Sequence, residues 1–135
     1  MELGKIINLQ KIHDPRGNLT VAEQLKDVPF SIKRAYWLYD VPAGESRGGH
    51  AHKTLSQLLI ATSGSFTVTL DNGKLKERFL LNHPWQALFI RPGIWRTLDD
   101  FSSGAVCLCL ASDTYKEEDY IREYPSYLEY LKCLK

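Results

Sequence analysis

Between residues 4 and 112 the chain alternates short apolar runs with Gly, Pro, Asn and Asp, and no apolar period of 3.6 is sustained. That spacing predicts an all-β fold of many short strands. The runs that read as strands are Lys5–Leu9, Leu19–Glu23, Arg34–Val41, Ser56–Thr62, Ser65–Leu70, Lys74–Leu81, Gln86–Ile90, Arg96–Asp99 and Ala105–Ala111. Asp71-Asn72-Gly73 marks a hairpin, because Asn and Gly accept the positive φ of a tight turn. Gly64 marks a second sharp turn. Ala105–Ala111 is apolar at every position and should be covered on both faces. Lys74 to Phe79 alternates and should have one wet side.

After Asp113 the pattern changes. Asp113 or Thr114 can cap a helix starting near Lys116, with Glu117, Glu118 and Asp119 at its positive end. Pro125 should interrupt it, leaving a second helical piece with Tyr127, Leu128, Tyr130 and Leu131. Without repeats, linkers or low-complexity segments, the reading is one domain over 1–135, with a barrel over about 5–112 and C-terminal helices over about 116–134.

Composition changes little in this picture. At 135 residues, 44% hydrophobic and 24% charged, the chain is an ordinary globular domain. A net charge of +1 argues against a nucleic-acid partner, which needs a clustered basic footprint. No apolar run approaches the ~20 residues that span a bilayer, and Met1 to Leu9 has no signal-peptide pattern. Cys107, Cys109 and Cys133 show no disulfide spacing, which fits a reducing, cytoplasmic setting. Cys107 and Cys109 share one strand face, as a metal clip or as small core hydrophobes.

The chemistry concentrates between Gly44 and Gly64. His50 and His52, at i and i+2 of a strand, send both rings to one face, and Gln57 follows. This layout resembles the first cupin motif, in which two His and a Glu bind a metal. Pro92-Gly93-Ile94-Trp95-Arg96 resembles the second, where a His supplies another ligand. Here Gln57 stands in place of the Glu and Arg96 in place of the His. An amide is a poor ligand and a guanidinium never ligates, so the metal reads as lost and no cofactor is expected.

Two imidazoles without a metal suit proton abstraction and return, being near half-charged at neutral pH by their ordinary pKa. A proton taken alpha to a carbonyl leaves an enolate that needs donors or cations at its oxygen. Arg96, Gln57 and Tyr36 are candidates, and Arg34 shares strand parity with Tyr36. Arg16 and Arg47 stand beside Gly17 and Gly48, where backbone can approach an anionic ligand. Taken singly, Tyr36 suits packing as well as catalysis, and each arginine suits a solvated surface. Trp37, Trp85 and Trp95 read as core or interface anchors.

Three stretches carry a more specific resemblance: Ser31 to Tyr36, Arg47 to Lys53, and Phe101-Ser102-Ser103 through Leu110 to Asp113 and on to Asp119-Tyr120-Ile121-Arg122-Glu123-Tyr124. They resemble the nucleotide-sugar 3,4-ketoisomerases, cupin enzymes acting on dTDP-4-keto-6-deoxyglucose, over roughly residues 5–132. The resemblance implies a jelly-roll barrel and a metal-free shift of a ketone from C4 to C3. It implies His50 as base, His52 as its partner and Tyr36 as second acid/base or orienting hydroxyl. Arg34 and Arg47 would hold the pyrophosphate and sugar, with Arg16 near the sugar, and Gln57 and Arg96 would bind substrate. It further implies a homodimer with exchanged N-terminal strands, in which Lys5–Leu9 would be an edge partner. The product would suit an aminotransferase making a 3-amino-3,6-dideoxyhexose for a surface glycan such as an O-antigen or S-layer chain. Relatives with His in place of Arg96 leave the C4 configuration open. The alternatives are a 3,5-epimerase, a metal-dependent cupin and a non-catalytic dTDP-sugar binder.

Overall fold

The computed structural model describes residues 2–134. The strands in chain order are β1 Lys5–Asn8, β2 Gln10–Asp14, β3 Gly17–Val21, β4 Arg34–Leu38, β5 Arg47–His52 and β6 Gln57–Ser63. They continue as β7 Phe66–Asp71, β8 Lys76–Leu81, β9 Gln86–Ile90, β10 Trp95–Asp99, β11 Val106–Ala111 and β12 Tyr120–Ile121. A 3₁₀ turn at Glu117–Asp119 precedes β12, and helix α1 spans Tyr124–Cys133.

One five-stranded antiparallel sheet runs in the order β1-β9-β6-β11-β4, and the other runs β12-β5-β10-β7-β8. Their inner faces meet over Leu3, Leu59, Phe66, Val68, Leu70, Leu88, Leu98, Phe101, Cys107 and Cys109, the main core. A second cluster lies outside the first sheet, where Leu9, Val28 and Phe30 cover Leu58, Ile60 and Leu110. Ala105–Ala111 is therefore covered on both sides, as its unbroken apolar run requires. The predicted all-β jelly roll is what forms.

The boundaries differ from the sequence expectation for local reasons. Arg34–Val41 stops at Leu38, because Asp40 takes a left-handed φ of 55°. Lys74 and Leu75 belong to the turn, where the Asn72 side chain accepts both their N–H groups. Gln10–Asp14 has one apolar residue, Ile12, and gave no strand signal; it forms a hairpin with Gly17–Val21 outside both sheets. Gly64 turns between β6 and β7 at φ 64°, and a Cβ there would sit 2.5 Å from Ser102 Oγ and 2.8 Å from Ala105 Cα.

The C-terminal segment is a correction. No helix starts near Lys116; the acidic run makes one 3₁₀ turn and β12. Pro125 does not interrupt a helix but lies in the first turn of α1, where its missing N–H costs nothing. Helix α1 packs on the outer face of the second sheet through Tyr127, with Ala51, Trp95 and Ile121. The buried Tyr127 hydroxyl lies 2.8 Å from the Gly93 carbonyl and 3.1 Å from that of Asp71. The Gly93 N–H in turn donates to the His52 carbonyl at 2.7 Å.

Candidate functional site

A cavity of about 260 Å³ opens at one end between the sheets. The first sheet supplies its floor in register rows. Gln57, Ala111 and Arg34 lie side by side across β6, β11 and β4, and the next inward row is Leu59, Cys109 and Tyr36. From the second sheet, His50 pairs in register with Arg96, and His52 with Tyr120. Gly48 takes φ 79°, and a Cβ there would lie 2.8 Å from Leu98 Cδ1. Arg47 and Arg122 complete the rim.

The two imidazoles do share one face. Their Nε2 atoms lie 3.1 Å apart, and the rings meet edge-on with centroids 4.8 Å apart. His52 is fully buried, while His50 is half-buried and lines the cavity. Behind them, His52 Nδ1 lies 3.2 Å from Asp119 Oδ2, and Asp119 Oδ1 accepts the N–H and hydroxyl of Thr54, both at 2.8 Å. Tyr120 packs its ring 4.3 Å from His52 and 5.0 Å from His50.

The expectation that these histidines stand near half-charged at neutral pH is corrected. Burial first, then the Arg96 guanidinium, pushes His50 down to about 2 and His52 to about 3. Both rings are neutral at pH 7, the form that accepts a proton.

Beside the imidazoles, and from there across to the first sheet, runs a polar chain. Arg96, 1% exposed, donates Nη2–H to the Ile94 carbonyl at 2.8 Å and Nη1–H to Gln57 Oε1. Gln57 Nε2 donates to the Tyr36 hydroxyl at 2.6 Å. Burial beside Cys109 and Tyr120 pushes the Tyr36 phenol well up, so it holds its proton. Arg34 Nη2 reaches the Tyr120 hydroxyl at 3.4 Å, and its Nε is buried with no protein partner. Arg122 lies over the Tyr120 ring at 4.1 Å, but Glu117 binds it with two contacts of 2.8 Å. Arg34, Arg47 and Arg96 are the lining cations without a carboxylate partner among the described residues, and of these Arg96 is held by Gln57 and the Ile94 carbonyl.

Arg16 is not brought to this cavity. It sits at the tip of the β2–β3 hairpin with its side chain 91% exposed and ion-paired to Asp14. Lys5–Asn8 pairs with β9 of its own chain. Asp119, Tyr120, Arg122 and Thr54 were not singled out from the sequence. No spacing rule reaches Asp119 from His52, 67 positions away; the one signal was the resembling stretch Asp119 to Tyr124.

The donor set does not fit a metal centre. Among the described residues no three His, Cys, Asp or Glu side chains are grouped so that they could hold a metal ion, and His50, His52 and Asp119 meet in series, not around one point. Gln57 and Arg96 occupy the positions a carboxylate and a third imidazole would need. Cys107 and Cys109 are buried with sulfurs 3.7 Å apart, and their mutual hydrogen bond and burial push the Cys107 thiol well up. It stays protonated, which suits packing.

Two antiparallel sheets of this order, closed over a core and open at one end on inward-facing histidines, define a cupin. The family model described as "FdtA: WxcM-like, C-terminal" matches residues 3–132, and the chain belongs to that family. A TDP-4-oxo-6-deoxy-alpha-D-glucose-3,4-oxoisomerase from Aneurinibacillus thermoaerophilus is 45% identical over 127 residues, covering 94% of this chain and 91% of that protein. The TDP-quinovose 3,4-ketoisomerase of Campylobacter jejuni is also 45% identical, with a TM-score of 0.90 over 96% of this chain and 99% of that one. A mutant of the Thermoanaerobacterium thermosaccharolyticum 3,4-ketoisomerase, solved with TDP-4-keto-6-deoxyglucose, is 38% identical with a TM-score of 0.95 over 98% and 96% of the two chains.

Proposed function

We propose that this protein is a nucleotide-sugar isomerase that moves the ketone of a dTDP-4-keto-6-deoxyhexose from C4 to C3 without a metal. The observation that carries the reading is the pairing of two neutral imidazoles, His52 buried and His50 at the cavity wall, with a buried guanidinium, Arg96, where a metal-binding cupin would place ligands. Relatives at 38% to 45% identity act on sugars of this class.

The chemistry balances within the substrate. His50 takes the C3 proton, and the C–H electron pair becomes a C3=C4 double bond as the C4 carbonyl electrons move to oxygen. The 3-hydroxyl proton passes to O4, and a proton returns at C4, giving the 3-ketone with no net gain or loss. Tyr36 and the Arg96–Gln57 pair stabilise the oxygen that becomes negative. Arg34 and Arg47 face the diphosphate. At about 260 Å³ the cavity holds the sugar end, and the nucleotide lies across the mouth.

A homodimer with exchanged N-terminal segments accounts for Arg16. The β2–β3 hairpin stands apart from both sheets and exposes Ile12 at 46% and Leu19 at 56%. Packed on a partner, it would bury those side chains and carry Arg16 toward the partner's cavity mouth. Among the described residues no helix is long and apolar enough to cross a membrane, and the three thiols are unpaired. Both fit the cytoplasmic setting proposed. A 3-keto product suits an aminotransferase as the next enzyme, toward a 3-amino-3,6-dideoxy sugar.

Proton exchange tests the function. Incubated with dTDP-4-keto-6-deoxyglucose in D₂O, the protein should introduce deuterium at C3 and C4, and His50→Asn should slow this about 10²- to 10⁴-fold while its circular dichroism is unchanged. Deuterium at C3 and C5 would identify a 3,5-epimerase, and the absence of both exchange and a 3-keto product would refute the isomerase.

A further inference from the structure

A carboxylate in contact with two imidazoles in series fixes more than their positions. An ionised carboxylate can only accept hydrogen bonds. Asp119 Oδ2 lies 3.2 Å from His52 Nδ1, so that nitrogen carries the hydrogen of the neutral ring and His52 Nε2 is a bare lone pair. His50 Nε2, 3.1 Å away, completes this contact only as an N–H donor. His50 Nδ1 is then the bare nitrogen left to that ring. Asp119 has little freedom of its own. Thr54 holds Oδ1 with two donors at 2.8 Å, and the Lys53 N–H holds the Asp119 backbone carbonyl at 3.0 Å.

We infer that Asp119 is a positioning residue that sets the polarity of the imidazole pair, making His50 Nδ1 the nitrogen that receives the substrate proton and His52 the acceptor behind it. This rests on the proton-carrying role proposed for His50. The C3 proton bonds to His50 Nδ1 as the C–H electron pair becomes the C3=C4 bond. The His50 Nε2 proton then shifts to His52 Nε2. His50 ends neutral, and the positive charge resides on His52 against the Asp119 carboxylate. Reversal of both shifts delivers one proton to C4 and restores the starting state. The relay lets the charge leave the ring that must give its proton back, and it holds that charge where a counterion waits.

The test joins imidazole ¹⁵N NMR of the substrate-free protein with the kinetics of Asp119→Asn. In the unaltered protein, long-range ¹H–¹⁵N spectra should show His52 protonated at Nδ1 and His50 at Nε2. In Asp119→Asn the amide oxygen stays with the Thr54 N–H, which turns the NH₂ toward His52. Both rings should then switch tautomer, and kcat should fall about 10²- to 10⁴-fold with KM unchanged. A merely structural role would leave the tautomers as they were. Finding His52 Nδ1 bare in the unaltered protein, or an Asp119→Asn enzyme with full kcat, overturns the assignment. If the variant fails to fold, the spectrum of the unaltered protein decides alone. That spectrum needs no substrate, so a chain that forms no 3-keto sugar would sink the proposed function while the relay polarity is still read directly.

Discussion

Arg96 donates to the Gln57 carbonyl oxygen inside the barrel, where both side chains are 1% exposed. A guanidinium has no acceptor, so this contact forces the amide oxygen toward Arg96 and the NH₂ toward Tyr36. The Tyr36 hydroxyl must accept from Gln57. Its own proton is left for the cavity, where Cys109 sulfur and an incoming ligand oxygen compete for it.

Gln57→Glu is the substitution that reverses this relay while keeping its shape. A carboxylate would pair with Arg96 and accept from Tyr36, turning the phenol proton away from the ligand. The variant should fold and melt near the parent temperature, because the buried guanidinium gains a counterion. Its kcat should fall about 10²-fold or more, the scale of losing one donor at a developing oxyanion. Stopped assays beside thermal melts check both halves, and undiminished kcat would remove Tyr36 from the chemistry.

The histidine shifts predict how pH acts. His50 is held down at about 2 and His52 at about 3, well below the ordinary 6.5, so neither protonates in the folded protein near neutrality. The log of kcat/KM should run level from about pH 8 to about pH 5, with no acid limb at the ordinary histidine pKa. Stability behaves otherwise. Below pH 6.5 the unfolded chain binds protons that the folded chain refuses, so the full stability present above 6.5 is lost as pH falls toward the folded values. The slope is at most about 1.4 kcal/mol per pH unit for each histidine. Urea midpoints across this range should fall less steeply for His50→Asn.

Mixing variants checks the exchanged hairpin. Arg16→Ala and His50→Asn should each be impaired as pure proteins. If Arg16 serves the partner's cavity, co-refolded mixtures should regain activity, because one of the two sites in a mixed dimer is then intact. Impairment without rescue would place the action of Arg16 within its own subunit, an unimpaired Arg16→Ala would place it outside the reaction, and a monomer in sedimentation would remove the exchange altogether.

Much of the fold could be read from the chain because its strands follow local rules. Ala105–Ala111 is apolar throughout, and it became β11, inside the first sheet. The HxH spacing placed both rings on one face, as the two-residue period of a strand demands. What stayed illegible depended on contacts distant in sequence. The Asp119 carboxylate reaches His52 only because Tyr120 and Ile121 pair with His52 and Ala51. Periodicity cannot find a two-residue strand, and the acids before it read instead as a helix start. The histidine charge is hidden from the sequence for a related reason: the ordinary pKa belongs to a solvated ring, and these rings are desolvated by burial and sit beside a buried cation. Pro125 suits a helix break and a helix first turn alike, and its place in α1 is the second.

The pairing of β12 with β5 also makes the chemistry depend on a short stretch beyond the long strands. Residues 117–127 follow the last long strand, yet they bring Asp119 to His52, Tyr120 to both rings and Tyr127 beneath the strand that carries them. A chain cut after Asp113 would retain every strand of both five-stranded sheets except β12, and both imidazoles, while losing the carboxylate behind them. The scaffold and its proton chemistry are therefore separable along the chain.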